Sequence, residues 1–143
     1  MGKRYEPFGA MLDVDLAIAR LKESGARMTA QRRAVLTILD GNRTHPTAET
    51  LIEQVHGRLG CVAPATIYNT LEALEELGFV RRIDGLEPCA HFDPDTSEHE
   101  HAICMICKQV WDVSTIEPPS DLPDKFEVED ILIRGDCVEC HAV

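Results

Sequence analysis

Pro64-Ala65-Thr66-Ile67-Tyr68-Asn69-Thr70-Leu71-Glu72-Ala73-Leu74-Glu75-Glu76-Leu77, followed by Gly78, carries two patterns at once. Ile67, Leu71, Leu74 and Leu77 fall on one stripe of a helix with proline in its first turn and glycine at its end. Ala65, Thr66, Tyr68, Asn69 and Glu72 point the other way, and the polar members crowd the N-terminal turns. A helix that buries one stripe and keeps its first turns for something else is built like the recognition helix of a helix-turn-helix, whose opening turns enter a DNA major groove.

The chain on either side agrees with that reading. Residues 13–24 place Val14, Leu16, Ala17, Ile18 and Leu21 on the apolar face of a helix that Gly25 ends. Thr29 is the expected N-cap of a second helix, with Ala34, Val35, Ile38 and Leu39 inward, Arg32 and Arg33 in solvent, and Asp40-Gly41 as its close. His45-Pro46-Thr47 makes the next turn, and Thr47 caps a third helix on Leu51, Ile52 and Val55, with Gly57 and Gly60 marking its exit. Beyond the recognition helix, residues 79–83 read as a strand and residues 89–93 as its partner across a turn at Asp84-Gly85. Helices followed by a hairpin make a winged helix; a helical bundle with a surface hairpin shares the periodicity and is the competing architecture.

The second half differs in kind. Residues 1–82 hold 11 Lys/Arg and 10 Asp/Glu, whereas residues 83–143 hold 3 and 15, so the net charge of −11 sits almost wholly in the C-terminal part. An acidic segment suits bound cations, and a near-neutral N-terminal part leaves room for a basic face. The economical division is a DNA-binding domain over residues 1–84 and a second domain over residues 85–143. The second domain carries alternating apolar positions at residues 101–106 and 109–113, and Phe126, Val128, Ile131, Leu132 and Ile133 predict a final strand or two. A short helix between residues 121 and 126 is also compatible. The class is α+β. No apolar run reaches the roughly 18 residues of a membrane span, and no apolar signal core follows Met1, so a soluble cytoplasmic protein is expected.

In such a compartment, paired Cys-x-x-Cys motifs point to metal more than to disulfides. Cys104-Met105-Ile106-Cys107 and Cys137-Val138-Glu139-Cys140 give a Cys-x2-Cys-x29-Cys-x2-Cys pattern. Two such turns on neighbouring strands fill a closed tetrahedral zinc site, which is structural and not catalytic; a redox dithiol pair is the rival. Cys61 reads as a small buried residue and Cys89, close to the metal region, as a weak candidate ligand. His99 and His101 alternate, so on a strand both imidazoles leave one face while Glu100 points away. Asp93 and Asp112 can add carboxylates, and a histidine from the first domain can complete the set, with His45, His56 and His91 equally open by spacing. Such an N/O set suits iron, manganese or zinc, and carboxylates favour the harder ferrous and manganous ions.

Taken together, Met28-Thr29-Ala30-Gln31-Arg32, His45-Pro46-Thr47-Ala48-Glu49, Ala65-Thr66-Ile67-Tyr68-Asn69-Thr70-Leu71, His99-x-His101-x-x-Cys104-x-x-Cys107 and the final Cys-x-x-Cys resemble the ferric uptake regulator family of metal-responsive bacterial repressors. The resemblance implies a homodimer whose small α/β domains pair while two winged helices bind a palindromic operator in double-stranded DNA. It implies structural zinc on Cys104, Cys107, Cys137 and Cys140, and base or phosphate contacts from Arg32, Ala65, Thr66, Tyr68 and Asn69. Within the family the chain most resembles the peroxide-sensing branch, whose regulatory Fe(II) or Mn(II) would lie on His45, Asp93, His99, His101 and Asp112. Iron-uptake members usually carry glutamate at the positions of Asp93 and Asp112. Two departures stand out: Ala63 replaces a frequent serine, and His91 stands where zinc-uptake regulators place a thiolate, which makes it a possible extra ligand and a zinc- or manganese-responsive regulator the alternative. A zinc-ribbon interaction module would explain the thiols but not the helices. An enzyme is not expected, because no nucleophile or cofactor loop accompanies Glu98 and Glu100.

Overall fold

The computed structural model describes residues 10–84 and 89–141. The chain divides into two compact units, Met1–Ser97 and Glu98–Val143. The expected division at Asp84-Gly85 involves Gly85, which lies outside the described residues, and the second hairpin strand packs with the first unit.

The first unit holds α1 (Val14–Glu23), α2 (Ala30–Leu39), α3 (Ala48–Leu59), α4 (Pro64–Glu76), β1 (Arg81–Ile83) and β2 (His91–Asp93). Three helices start where a short polar side chain can take an orphan amide: Asp13, Thr29 and Thr47 accept from the backbone N–H three residues on. α3 runs through Gly57 and ends at Gly60, whose φ of 73° closes the helix in the left-handed region. The end of α4 explains a difference from the expected wing. Gly78 N–H bonds Glu75 O and Phe79 N–H bonds Leu74 O at 2.8 Å, a doubly bonded helix stop. With its amide used there and its ring in the core, Phe79 does not join the strand, which begins at Arg81 and pairs antiparallel with β2, Ile83 opposite His91 and Arg81 opposite Asp93.

One core serves this unit: Ala17 and Leu21 of α1, Val35, Leu36 and Leu39 of α2, Leu51 and Val55 of α3, and Ile67, Leu71 and Leu74 of α4. Burying a leucine or isoleucine contributes roughly 1.5–3 kcal/mol, so these residues fix the helix packing whatever the surface carries. Leu77 packs on the core only partly buried. Cys61 is exposed, contrary to its expected burial, because it lies in the short link between α3 and α4, outside every apolar stripe.

The second unit is a three-stranded sheet in the order β4-β3-β5, made of β3 (Glu100–Cys104), β4 (Val110–Val113) and β5 (Leu132–Gly135), followed by the one-turn α5 (Val138–His141). β3 runs antiparallel to β4 and parallel to β5. Phe126 and Val128, expected in a strand, lie outside the sheet and are exposed, and residues 121–126 form turns, not a helix. Alternation alone does not supply the partner strand that a β-ladder needs. No described helix is long and apolar enough to cross a membrane.

Candidate metal centres and nucleic-acid interface

The four-cysteine centre is built from the ends of β3 and β5. Lys108, at φ 64°, reverses the chain after Cys104, and Lys108 N–H to Cys104 O (2.9 Å) and Cys104 N–H to Gln109 O (3.0 Å) close the turn that presents Cys107. Cys104 lies opposite Gly135 in the parallel ladder, Met105 N–H bonds Gly135 O at 2.7 Å, and the chain then enters α5 with Cys137 before it and Cys140 within it. The four sulfurs lie within 4.8 Å of one another, with Cys107 Sγ and Cys137 Sγ 3.9 Å apart. Sulfurs about 2.3 Å from a tetrahedral zinc stand roughly 3.8 Å from one another, so the spacing fits the ion.

Their electrostatics agree. The backbone N–H of Cys137, and then that of Cys107, donate to Cys104 Sγ at 3.4 Å and bring its thiol down to about 6. Cys140 is pushed up to about 12, first by its bond to Cys137 and then by desolvation. Close sulfurs resist collective ionisation until a cation shares their charge. The donor set fits structural zinc.

In the first unit, His45 Nε2 stands 3.4 Å from Asp93 Oδ2, and both side chains are almost wholly buried. His45 has φ 54°, a conformation that β-carbon-bearing residues seldom adopt, least of all before proline. Two contacts fix it there: Phe92 N–H bonds Pro46 O at 2.9 Å, and His91 Nδ1 donates to His45 O at 2.7 Å. An isolated bridge between Thr47 and His91 adds this segment to the wing hairpin. His91 therefore braces the His45 backbone through one of its ring nitrogens. Asp93 Oδ1 accepts the Asp95 amide at 2.9 Å, which orients its other oxygen toward His45.

In the second unit, Asp112 is the cross-strand partner of His101. His99 Nε2 lies 3.1 Å from Asp112 Oδ1, His101 Nε2 lies 3.5 Å from the same oxygen, and the two Nε2 atoms are 3.0 Å apart. Three donors at mutual distances of about 3 Å suit an ion with ligands near 2.0–2.2 Å. Glu100 turns away, as alternation requires, and accepts the Ile131 amide at 2.9 Å. His56 is exposed near the end of α3, and Cys89 is half-buried.

On the first unit, Ala65, Tyr68 and Asn69 are exposed on α4 and Thr66 is half-buried, while Ile67, Thr70, Leu71 and Leu74 are inside. Arg32 is half-buried and donates from Nη1 to Arg27 O at 2.5 Å. Two contributors escaped the sequence reading. Gln31 Oε1 accepts the Ala63 amide at 2.9 Å, and Glu49 Oε1 accepts the Tyr68 hydroxyl at 3.0 Å. Both join residues far apart in the chain, so no local pattern marks them.

The model of the "Ferric uptake regulator family" matches residues 23–127. The chain is 34% identical over 131 residues to the peroxide operon regulator of Bacillus subtilis, covering 87% of this chain and 90% of that protein. It is 31% identical over 136 residues to the peroxide-responsive repressor PerR of Staphylococcus aureus, covering 90% and 92%. The solved structure of the Helicobacter pylori ferric uptake regulator, described as having three functional metal binding sites, superposes with a TM-score of 0.74 at 18% identity, over 92% of this chain and 96% of that one. At that identity the likeness concerns the fold.

Proposed function

Because the chain belongs to the ferric uptake regulator family, we propose that it is a homodimeric, metal-dependent transcriptional repressor that senses peroxide. The first unit binds a palindromic operator, and the second carries structural zinc on Cys104, Cys107, Cys137 and Cys140 and pairs two chains. Supporting the pairing, Trp111, Ala102 and Ile133 form one row across β4, β3 and β5, with Trp111 38% and Ile133 42% exposed. The protein is a cytoplasmic regulator without turnover.

The regulatory ion, Fe(II) or Mn(II), is held by His45 and Asp93 together with His99, His101 and Asp112. The observation that carries the peroxide reading is that the carboxylates beside these histidines, at 3.4 Å from His45 and 3.1 Å from His99, are both aspartates, in a chain 34% identical to a peroxide operon regulator. Sharing one ion between the units biases the molecule toward the conformation in which all five side chains can reach it, because an ion shifts an equilibrium only by its differential affinity for the two states. In that state the Ala65–Asn69 face of each α4 meets a major groove, and Arg32 lies on phosphate.

Ferrous ion, when bound, supplies the redox chemistry that manganous ion does not. The side chain that records the event is His45 or His99: its ring gains one oxygen atom from peroxide, the other peroxide oxygen leaves as water, and the altered ring no longer binds as imidazole. The operator is then released. Mass spectrometry after peroxide treatment should find one added oxygen on His45 or His99 in iron-loaded protein and none in manganese-loaded protein. Intact histidines in the iron-loaded sample would overturn the reading.

A further inference from the structure

Tyr68 is 48% exposed on the face of α4 assigned to the groove. Its hydroxyl is already engaged, donating at 3.0 Å to Glu49 Oε1 in the first turn of α3. A phenol has a single proton to give and two lone pairs with which to accept. Glu49 is held as well. Its own backbone N–H, Tyr68, Cys89 and Thr47 all donate to the carboxylate, in that order of effect, and hold it below the usual carboxylate range against the opposing desolvation. The same bond raises the Tyr68 phenol above its ordinary value. At neutral pH the carboxylate is ionised and can only accept, the phenol keeps its proton, and the direction of the bond is fixed.

We propose that Glu49 is a specificity-determining residue for operator recognition: by taking the only proton that Tyr68 can donate, it leaves the hydroxyl facing the groove with lone pairs alone, so that Tyr68 selects a base-edge amino group over a carbonyl. The amino groups on major-groove edges are adenine N6 and cytosine N4; thymine O4 and guanine O6 are acceptors and find no donor in a hydroxyl so held. A tyrosine without Glu49 would turn its proton toward a carbonyl or a lone pair toward an amino group, and discriminate little. Entry into the groove displaces the water that competes for an exposed hydrogen bond, which strengthens the Glu49–Tyr68 bond in the complex.

The inference rests on the DNA-binding reading above, and its test separates the two. Manganese-loaded full-length protein is used to enrich a duplex from a random-sequence library. Each adenine of that duplex is then replaced in turn by purine, which lacks the 6-amino group, and each cytosine by 2-pyrimidinone, which lacks the 4-amino group. At one position per half-site the loss of the amino group should weaken wild-type binding about fivefold, the worth of one net hydrogen bond. Tyr68→Phe should be indifferent at that position. Exchanging the amino group there for a carbonyl, adenine for hypoxanthine or cytosine for uracil with the complementary base changed to keep the pair, should weaken wild type by the same factor but cost Glu49→Ala little, because its tyrosine can donate to the carbonyl; Glu49→Gln, which keeps an acceptor oxygen, should behave as wild type. Wild-type binding insensitive to every amino deletion, or a Glu49→Ala variant that rejects the carbonyl exchange as strongly as wild type, overturns the proposal and leaves the DNA-binding reading standing. If no sequence is enriched at all, the DNA-binding reading falls and the proposal with it.

Discussion

His99 Nε2 and His101 Nε2 face each other at 3.0 Å, with Asp112 Oδ1 at 3.1 Å from the first and 3.5 Å from the second. Two imidazole nitrogens and a carboxylate oxygen so close leave no space for an intervening side chain, and a divalent cation satisfies all three together. His101→Ala and Asp112→Ala should each weaken Mn(II) binding by more than the roughly 10–100-fold that loss of an outer-shell partner costs. Calorimetric titration of zinc-replete protein measures this. Unaltered Mn(II) affinity in both variants would remove these residues from the regulatory site.

Cys140→Ser tests the other centre. Zinc on the four sulfurs would join the turn after β3 to α5, making its free energy of binding folding free energy of the second unit, about 10–16 kcal/mol in small zinc domains. The variant should lose its zinc and its dimer together, read by elemental analysis and sedimentation, while circular dichroism retains the helices of the first unit. A zinc-free variant that stays dimeric would show that the sheet assembles without the metal.

His45, proposed above as a ligand, also carries backbone strain, since its φ is 54°. Asparagine tolerates this region better than other residues with a β-carbon. His45→Asn should therefore leave the urea stability of regulatory-metal-free protein within about 1 kcal/mol of wild type, yet lose the stabilisation that added Mn(II) gives. A variant still stabilised by Mn(II) as strongly as wild type would exclude His45 from the ligand set.

The features visible in the sequence were those that neighbouring residues decide. Thr29 and Thr47 cap helices because each needs only an amide three residues away. The Cys-x-x-Cys pairs and the His-x-His alternation are equally local, and the structure brings together the sulfurs and sets the two imidazoles on one side. What escaped depends on distant partners. Phe79 reads as a strand residue until its amide is seen closing α4 on Leu74 O. Cys61 reads as buried by residue type, although its link between two helices faces no core. The bonds of Gln31 to Ala63, Glu49 to Tyr68 and His91 to His45 span 32, 19 and 46 residues, beyond any period a sequence displays.

Ala63 offers no side-chain cap to the recognition helix, and Gln31 Oε1, from α2, accepts a different amide there, the N–H of Ala63 itself. Gln31→Ala should destabilise the protein by about 1 kcal/mol, the usual worth of one net hydrogen bond. Ala63→Ser should add about 1 kcal/mol in either background, because a serine there accepts from the first turn, an amide that Gln31 does not serve. Urea denaturation of the single and double variants measures both terms. No loss in Gln31→Ala would show that its bond does not hold the helix end, and a loss that vanishes in the Ala63→Ser background would show that the two serve one amide.

Glu75 provides a pH-dependent test. Desolvation on α4 raises its pKa, and this outweighs the opposing pull of Arg82. For a carboxyl raised in the folded state, the sign is the reverse of the usual acidic case: the unfolded chain ionises first as pH increases, so stability falls between the unfolded and folded values and stays lower above both. Below both values the residue is neutral in either state and the penalty vanishes. Glu75→Gln should therefore raise the thermal midpoint at pH 7 by about 2 °C, a fraction of a kcal/mol for a side chain still largely in water, and leave it unaltered at low pH. Calorimetric scans of both proteins across the acid range would show the difference opening as Glu75 ionises; a stabilisation equal at all pH values would mean that packing, not charge, sets the effect.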